Sequence, residues 1–360
     1  MSQTRLFRYP GGALYNGAGI FYAFAAYAGG LVLITRASLA LNLLGTLLLA
    51  HGLVICAYFI HECAHGAVFS KMRRNDQAGE VMAWITGACF ASYAGLKEKH
   101  LRHHADRMDV AAFDYRDILK RAPGWVRGAV LGLEWAYIPA VELLMHGMVI
   151  ITQYRGTHAM RRRAGLLLLS RLLLFGALAW VSPWSLGFYA VAYLLMLQVL
   201  RFMDAYQHTF DVYVPHSNSS PMIVKNRDRA YEHENTYSNI LSLSHPLLNL
   251  LTLNFAYHNA HHARPAVPWH ALPALHETLY GADTTQVLTA RQLFGSYHRN
   301  RVKRVMSPDY GRCTRTVTAR RIFWARSGCR FSPPSEARRS AFHCKPRDPV
   351  ILDARDEGAS

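Results

Sequence analysis

The 360-residue chain is short of acid: 23 Asp and Glu stand against 40 Lys and Arg, a formal charge of +17 at pH 7. It is also short of cysteine. The six cysteines, at positions 56, 63, 89, 313, 329 and 344, form no CxxC pair and are too sparse for the disulfide scaffold of a small secreted domain, so they read as reduced thiols. They offer no set for an iron–sulfur cluster, and there is neither a CxxCH haem attachment nor a GxGxxG after a strand pattern. No small-residue cleavage site follows the apolar N-terminal run, which therefore reads as an uncleaved anchor. No internal repeat is visible.

Charge is scarce in a patterned way. Charged residues make up 18% of the chain, yet mean hydropathy is +0.02, which requires apolar residues to be gathered in blocks. Residues 10–35 and 37–60 contain no Lys, Arg, Asp or Glu, and each run exceeds the ~20 residues that cross a bilayer as a helix. The predicted spans are 13–35, 38–60, 164–181 and 185–203, two hairpins that return the chain each time to its starting side. Arg171 interrupts the third, and Ser182-Pro183-Trp184 forms the second turn. Val81 to Leu96 and Gly128 to Thr152 read as helices lying in the interface.

Basic clusters at 71–74, 102–107 and 161–163, and the stretch after Arg301, fall on the side to which the hairpins return. That side is therefore expected to be cytoplasmic, with both termini and the polar cap upon it, in the inner membrane if the source is bacterial. Nucleic acid, the first partner a basic balance suggests, is not expected. From Arg301 onward there are 14 basic and 6 acidic residues, and residues 311–360 read as a poorly ordered basic tail. The fold class is all-α integral membrane: a membrane domain over 1–310 carries a histidine-rich cap at about 61–127 and 204–305.

Histidine is plentiful, 19 residues, and eight of these fall in three groups. His61 and His65 form an HxxxH; His100, His103 and His104 form an HxxHH; His258, His261 and His262 form a second HxxHH. Residues at i, i+3 and i+4 share a helix face, so each group can aim two or three imidazoles at one point. All three groups fall on the predicted cytoplasmic side. Eight nitrogens exceed a tetrahedral zinc site, so two metals are implied. A histidine-rich open site suits iron and O₂ activation better than hydrolysis, and copper fits the ligands as well.

These groups resemble the three histidine boxes of the membrane fatty acid desaturase and hydroxylase superfamily. His61 to Gly66 is similar to the first box, which follows the second transmembrane helix; His100 to His104 to the second; Tyr257 to His262 to the third, with its preceding aromatic. The resemblance covers about residues 13–310. It implies two non-haem irons with O₂ as co-substrate, ligated by these histidines within a cytosolic cap over four transmembrane helices. It also implies one more ligand between the last span and the third box, for which His208 is the candidate. Asp204, one helical turn earlier, is a candidate to hold a metal-bound water or orient an imidazole, and Glu62 to accept a hydrogen bond from a ligand histidine. Tyr231 to Asn235 mixes potential ligands without box spacing and reads as a cap loop.

The implied activity is oxidation of an unactivated CH₂ in a lipid or acyl chain, with desaturation favoured over hydroxylation or a carotenoid-type oxygenation. Electrons must come from an external donor such as a ferredoxin or b-type cytochrome. His61-Glu62-Cys63-Ala64-His65 also satisfies the HExxH of a zinc intramembrane protease, but that reading leaves both HxxHH groups unused. A non-enzymatic metal carrier is a third reading. Lys97, Lys99, Arg102 and Arg107 are expected to form a solvated basic rim, and His51 to pack within the second span by a hydrogen bond.

Overall fold

The computed structural model describes residues 5–87, 90–210, 213–215 and 227–307; the predicted tail at 311–360 lies outside them. The four predicted spans are helices α1 (Gly12–Leu33), α2 (Leu39–Ala64), α8 (His158–Val181) and α9 (Ser185–Asp204), all long and apolar enough to cross a membrane. Between α2 and α8 come α3 (Met72–Thr86), α4 (Tyr93–Asp106), strand β1 (Asp109–Ala111), α5 (Tyr115–Arg121), α6 (Gly124–Trp135) and α7 (Ala140–Arg155). After α9 follow β2 (Tyr213–Pro215), α10 (Arg229–Glu234), α11 (His258–Ala263), α12 (Leu272–Tyr280) and α13 (Ala290–Met306). The only regular strands among the described residues are β1 and β2, a short parallel pair. The protein is an all-α membrane protein.

α2 is the central span and packs against α1, α3 and α9. The α1–α2 hairpin closes tightly because small residues meet across it: a Cβ on Gly45 would stand 2.6 Å from the Leu33 Cβ. His51, in the middle of α2, bonds the Tyr22 hydroxyl of α1 and the Leu251 carbonyl. α2 does not stop at Ile60. It runs on through the first histidine box to Ala64 and ends where Gly66 adopts φ +64, so the box sits on the continuation of the span rather than on a segment after it.

The two segments read as interfacial helices are each divided. Residues 81–96 are the end of α3 and the start of α4, separated after a left-handed Gly87. Residues 128–152 break at Ala136–Pro139 between α6 and α7. Glu80 of α3 explains how α4 is aimed: one carboxylate oxygen accepts the Tyr93 backbone N–H at 3.0 Å and the other receives Arg163 at 2.8 Å and Trp84 Nε1 at 2.9 Å. Burial alone would push this carboxyl up, but the Arg163 guanidinium and these hydrogen bonds hold it below its ordinary value. Ser92 caps α4 by accepting from the Gly95 N–H at 3.1 Å.

Arg171 is accommodated inside α8 because its guanidinium donates to the carbonyls of Trp84 and Ile85 at the end of α3. A second buried charge ties α6 to α9: Glu134, 2% exposed, accepts from Arg201 at 2.6 Å and from the Val141 N–H at 2.9 Å. Glu134→Ala would leave Arg201 without this partner in a largely enclosed place, a loss of about 3–5 kcal/mol. The expected result is a clearly lower thermal midpoint in detergent; an unchanged midpoint would show that the pair does not hold α6 to α9.

Candidate metal centre

The three boxes converge from α2, α4 and α11, and His208 joins them from the segment after α9. Nine imidazoles fall into two neighbouring groups: His61, His65, His100, His104 and His261 in one, His103, His208, His258 and His262 in the other. Each HxxHH is split between the groups. His100 and His104, one turn apart on α4, face the first group while His103 faces the second; on α11 the pair His258 and His262 faces the second while His261 faces the first. The i, i+4 pairing of a helix face accounts for both divisions.

Within each group the Nε2 atoms point at one another. His65 and His100 approach to 2.7 Å, His61 and His261 to 3.1 Å, His104 to 3.2 Å from both His100 and His261. In the second group His208 Nε2 lies 3.1 Å from His103 Nε2 and 2.8 Å from His258 Nε2. On three rings the opposite nitrogen is engaged outward, whereas the buried Nδ1 atoms of His104, His258 and His261 have no hydrogen-bond partner. His103 Nδ1 donates to the Met108 carbonyl at 2.7 Å, His262 Nδ1 to Glu232 at 2.9 Å, and His61 Nδ1 to Glu62 at 3.2 Å. A neutral imidazole has one N–H, so these three rings turn bare Nε2 lone pairs inward, and the buried His262 Nε2 has no hydrogen-bond partner.

Lone pairs facing lone pairs repel unless a cation lies among them. Nitrogens about 2.0–2.1 Å from a metal and about 90–109° apart would be separated by about 2.8–3.4 Å, a range that takes in these spacings except the slightly closer 2.7 Å of His65 and His100. The all-nitrogen donor set therefore fits two metal ions, one per group. Burial pushes His65 down to about 3, helped by the neighbouring His61, and His103 to about 4, against the pull of the Met108 carbonyl. His100, His104, His208, His258, His261 and His262 lie well below the usual histidine value, first through burial and then through one another. The fold thus holds the ligand nitrogens in the neutral form that binds metal.

Depressed histidine values make the metal-free protein acid-sensitive. Between about pH 6.5 and pH 4 the unfolded chain takes up protons that the folded chain refuses, so stability is present above that window and lost as pH falls, by up to about 1.4 kcal/mol per pH unit for each such group. The thermal midpoint of chelator-treated protein should fall steadily from pH 7 to pH 5. A flat profile would contradict the buried neutral cluster.

Glu62 is 4% exposed, and its second oxygen accepts the Trp269 N–H at 3.0 Å. With both oxygens engaged and three further imidazoles around His61 and His65, the HExxH reading has no free base. Asp204 departs from its expected position. α9 ends on it, Ala205 is extended and Tyr206 has φ +63, so Asp204 and His208 do not share a helix face. Asp204 belongs to neither imidazole group; its carboxylate is open to cavities it lines beside His100.

The segment read as a cap loop supplies a residue that spacing did not mark. Glu232, on α10, binds His262 with one oxygen and Arg107 Nε, at 3.0 Å, with the other. Arg107 can reach it because it ends α4 in the left-handed region, φ 50. Ser238 donates to Asn259 Oδ1 at 2.9 Å and accepts the Asn259 N–H at 3.1 Å, which fixes the short third-box helix. Of the predicted basic rim, Lys97 pairs with Asp76 and Arg102 with Asp106, whereas Lys99 lines the cavities instead.

A search of curated proteins finds no match to this chain. The profile of the fatty acid desaturase family matches residues 37–294, which takes in α2 through the first turns of α13 and all nine clustered histidines. With that match over more than two thirds of the sequence, added to four apolar spans and two converging imidazole groups, the chain belongs to the fatty acid desaturase family.

Proposed function

We propose that the protein is an O₂-dependent, non-haem di-iron desaturase that introduces a C=C bond into a fatty acyl chain. The observation that carries this reading is the pair of adjacent, buried, all-imidazole groups with Nε2 atoms turned inward. His61, His65, His100, His104 and His261 would hold one iron, and His103, His208, His258 and His262 the other. Iron bound there supplies the O₂ chemistry that removes hydrogen from an unactivated CH₂. The chain's own groups orient the ligands: Glu62, the Met108 carbonyl and Glu232 fix the rings of His61, His103 and His262 through their Nδ1 atoms. Asp204 stands where it could hold a water or a polar substrate group beside His100.

A cavity of about 350 Å³ runs from the histidines between α2 and α9, past Met196, Leu197 and Leu200, and gives an apolar chain a route from the bilayer. The basic clusters favour a cytoplasmic centre, and a ferredoxin or b-type cytochrome would supply electrons. Expression in a host, metal quantification and mass-spectrometric fatty acid profiling test the reading. Iron in excess of zinc, with new double bonds, is the expected result. Hydroxylated chains without new double bonds would assign a hydroxylase of the same family; one zinc per chain, little iron and unchanged lipids would overturn the iron reading.

A further inference from the structure

The cavity beside the histidines is not lined like a passage for a plain hydrocarbon. Its wall on α9 carries a helical stripe, Tyr193, Leu197, Leu200 and Asp204, flanked by Met196 and by Arg201, which is paired with the buried Glu134. Across from the Asp204 end stand Glu142 of α7 and Lys99 of α4, and Asp204, Glu142 and Lys99 also line an adjoining cavity of about 280 Å³ that reaches His103, His208 and His258. Among the described residues the side chains of Asp204, Glu142 and Lys99 make no hydrogen bond or ion pair.

An independent observation comes from α2. Tyr58 lines the same cavity, is 4% exposed, and its hydroxyl has no hydrogen-bond partner. Its ring is held by Phe255 at 4.8 Å between centroids, and Phe255 in turn packs on His61 at 5.1 Å. A buried hydroxyl without a partner costs about 1–3 kcal/mol, a cost that a polar group arriving in the cavity would remove. Tyr58 is one turn from His61 on α2, so whatever it binds lies next to the five-imidazole group.

We propose that this site takes a long-chain amphiphile by a hydrogen-bond-donating head, a hydroxyl or an ammonium, held by Asp204, Glu142 and the Tyr58 hydroxyl. Arg201, which also lines the larger cavity, is paired with Glu134, and Asp109 and Arg304, which line the smaller one, have partners of their own; among the remaining charges, two carboxylates against one lysine favour a donor and disfavour a carboxylate or phosphate head. The chain then lies along the α9 stripe with its tail toward the bilayer, which brings carbons near the head, not those at mid-chain, beneath the histidines. This inference rests on the reading of the histidine groups as the oxidising centre.

The test is equilibrium binding of tritiated sixteen-carbon chains to the full-length protein in lipid nanodiscs. Hexadecan-1-ol and hexadecylamine should bind at least about tenfold more tightly than hexadecane and palmitate, a gap of about 1.4 kcal/mol. Tyr58→Phe and Glu142→Gln should each narrow that gap to less than about threefold. The unliganded Tyr58→Phe protein should keep or raise its thermal midpoint, because it loses a hydroxyl with no partner. Palmitate binding most tightly, or a preference for the alcohol and amine untouched by both substitutions, would overturn the inference. Iron and products are measured on the same preparation. Iron with new double bonds in plain acyl chains, and no head-group preference, overturns the head-group inference alone; zinc without oxidised product, with the preference intact, overturns the desaturase reading alone.

Discussion

His103→Ala is expected to reduce product below detection and to strip the metal from the four-imidazole group. Three ligands remain there, and His208 Nε2 loses one of its two close imidazole neighbours. His261→Ala should be equally inactive by another route. Its Nε2 lies 3.1 Å from His61 and 3.2 Å from His104, so it joins α11 to both α2 and α4; four imidazoles stay behind in its group, enough to retain a metal in altered geometry. Metal analysis on the two purified variants separates these cases: His103→Ala should lose more metal than His261→Ala while both lack product. Full activity in either variant would withdraw that histidine from the centre.

The second large effect is expected at a residue outside the boxes. Glu232→Ala removes the acceptor of His262 Nδ1–H and the partner of Arg107 together, and loss of such a partner typically costs about 10–100-fold in metal affinity or activity. Burial raises the Glu232 carboxyl, and the hydrogen bond and charge of Arg107 oppose that rise. Glu232→Gln, which retains an oxygen but no charge, should fall between the wild type and alanine, and Arg107→Ala should follow it. Glu234, exposed two residues later, is the control, and its substitution should change nothing. Metal titration monitors the series. Equal affinity in Glu232→Ala and wild type would reduce Glu232 to a surface ion pair.

The spans were legible because an apolar run must become a helix in lipid, where every backbone polar group needs an internal partner. The ends of the helices were less so. α2 runs past Ile60 because the box residues continue its turns, and α8 begins at His158 because the Arg161–Arg163 turn is helical, neither of which hydropathy registers. The interfacial helices break at Gly87 and before Pro139, where backbone conformation rather than composition decides.

The sequence by itself determined the class of the protein and marked the histidines that could hold metal: uncharged runs of spanning length, and imidazoles at i, i+3 and i+4, carry that information locally. Only the tertiary structure decided how nine histidines divide into five and four, which depends on the rotation of α4 and α11 against α2. It alone moved Asp204 off the face of His208, turned Lys99 inward and brought Glu232 to His262 from thirty residues away. A helix face is a property of neighbours in sequence, whereas a cavity wall is assembled from separate elements, and no spacing within one segment records which of them will meet.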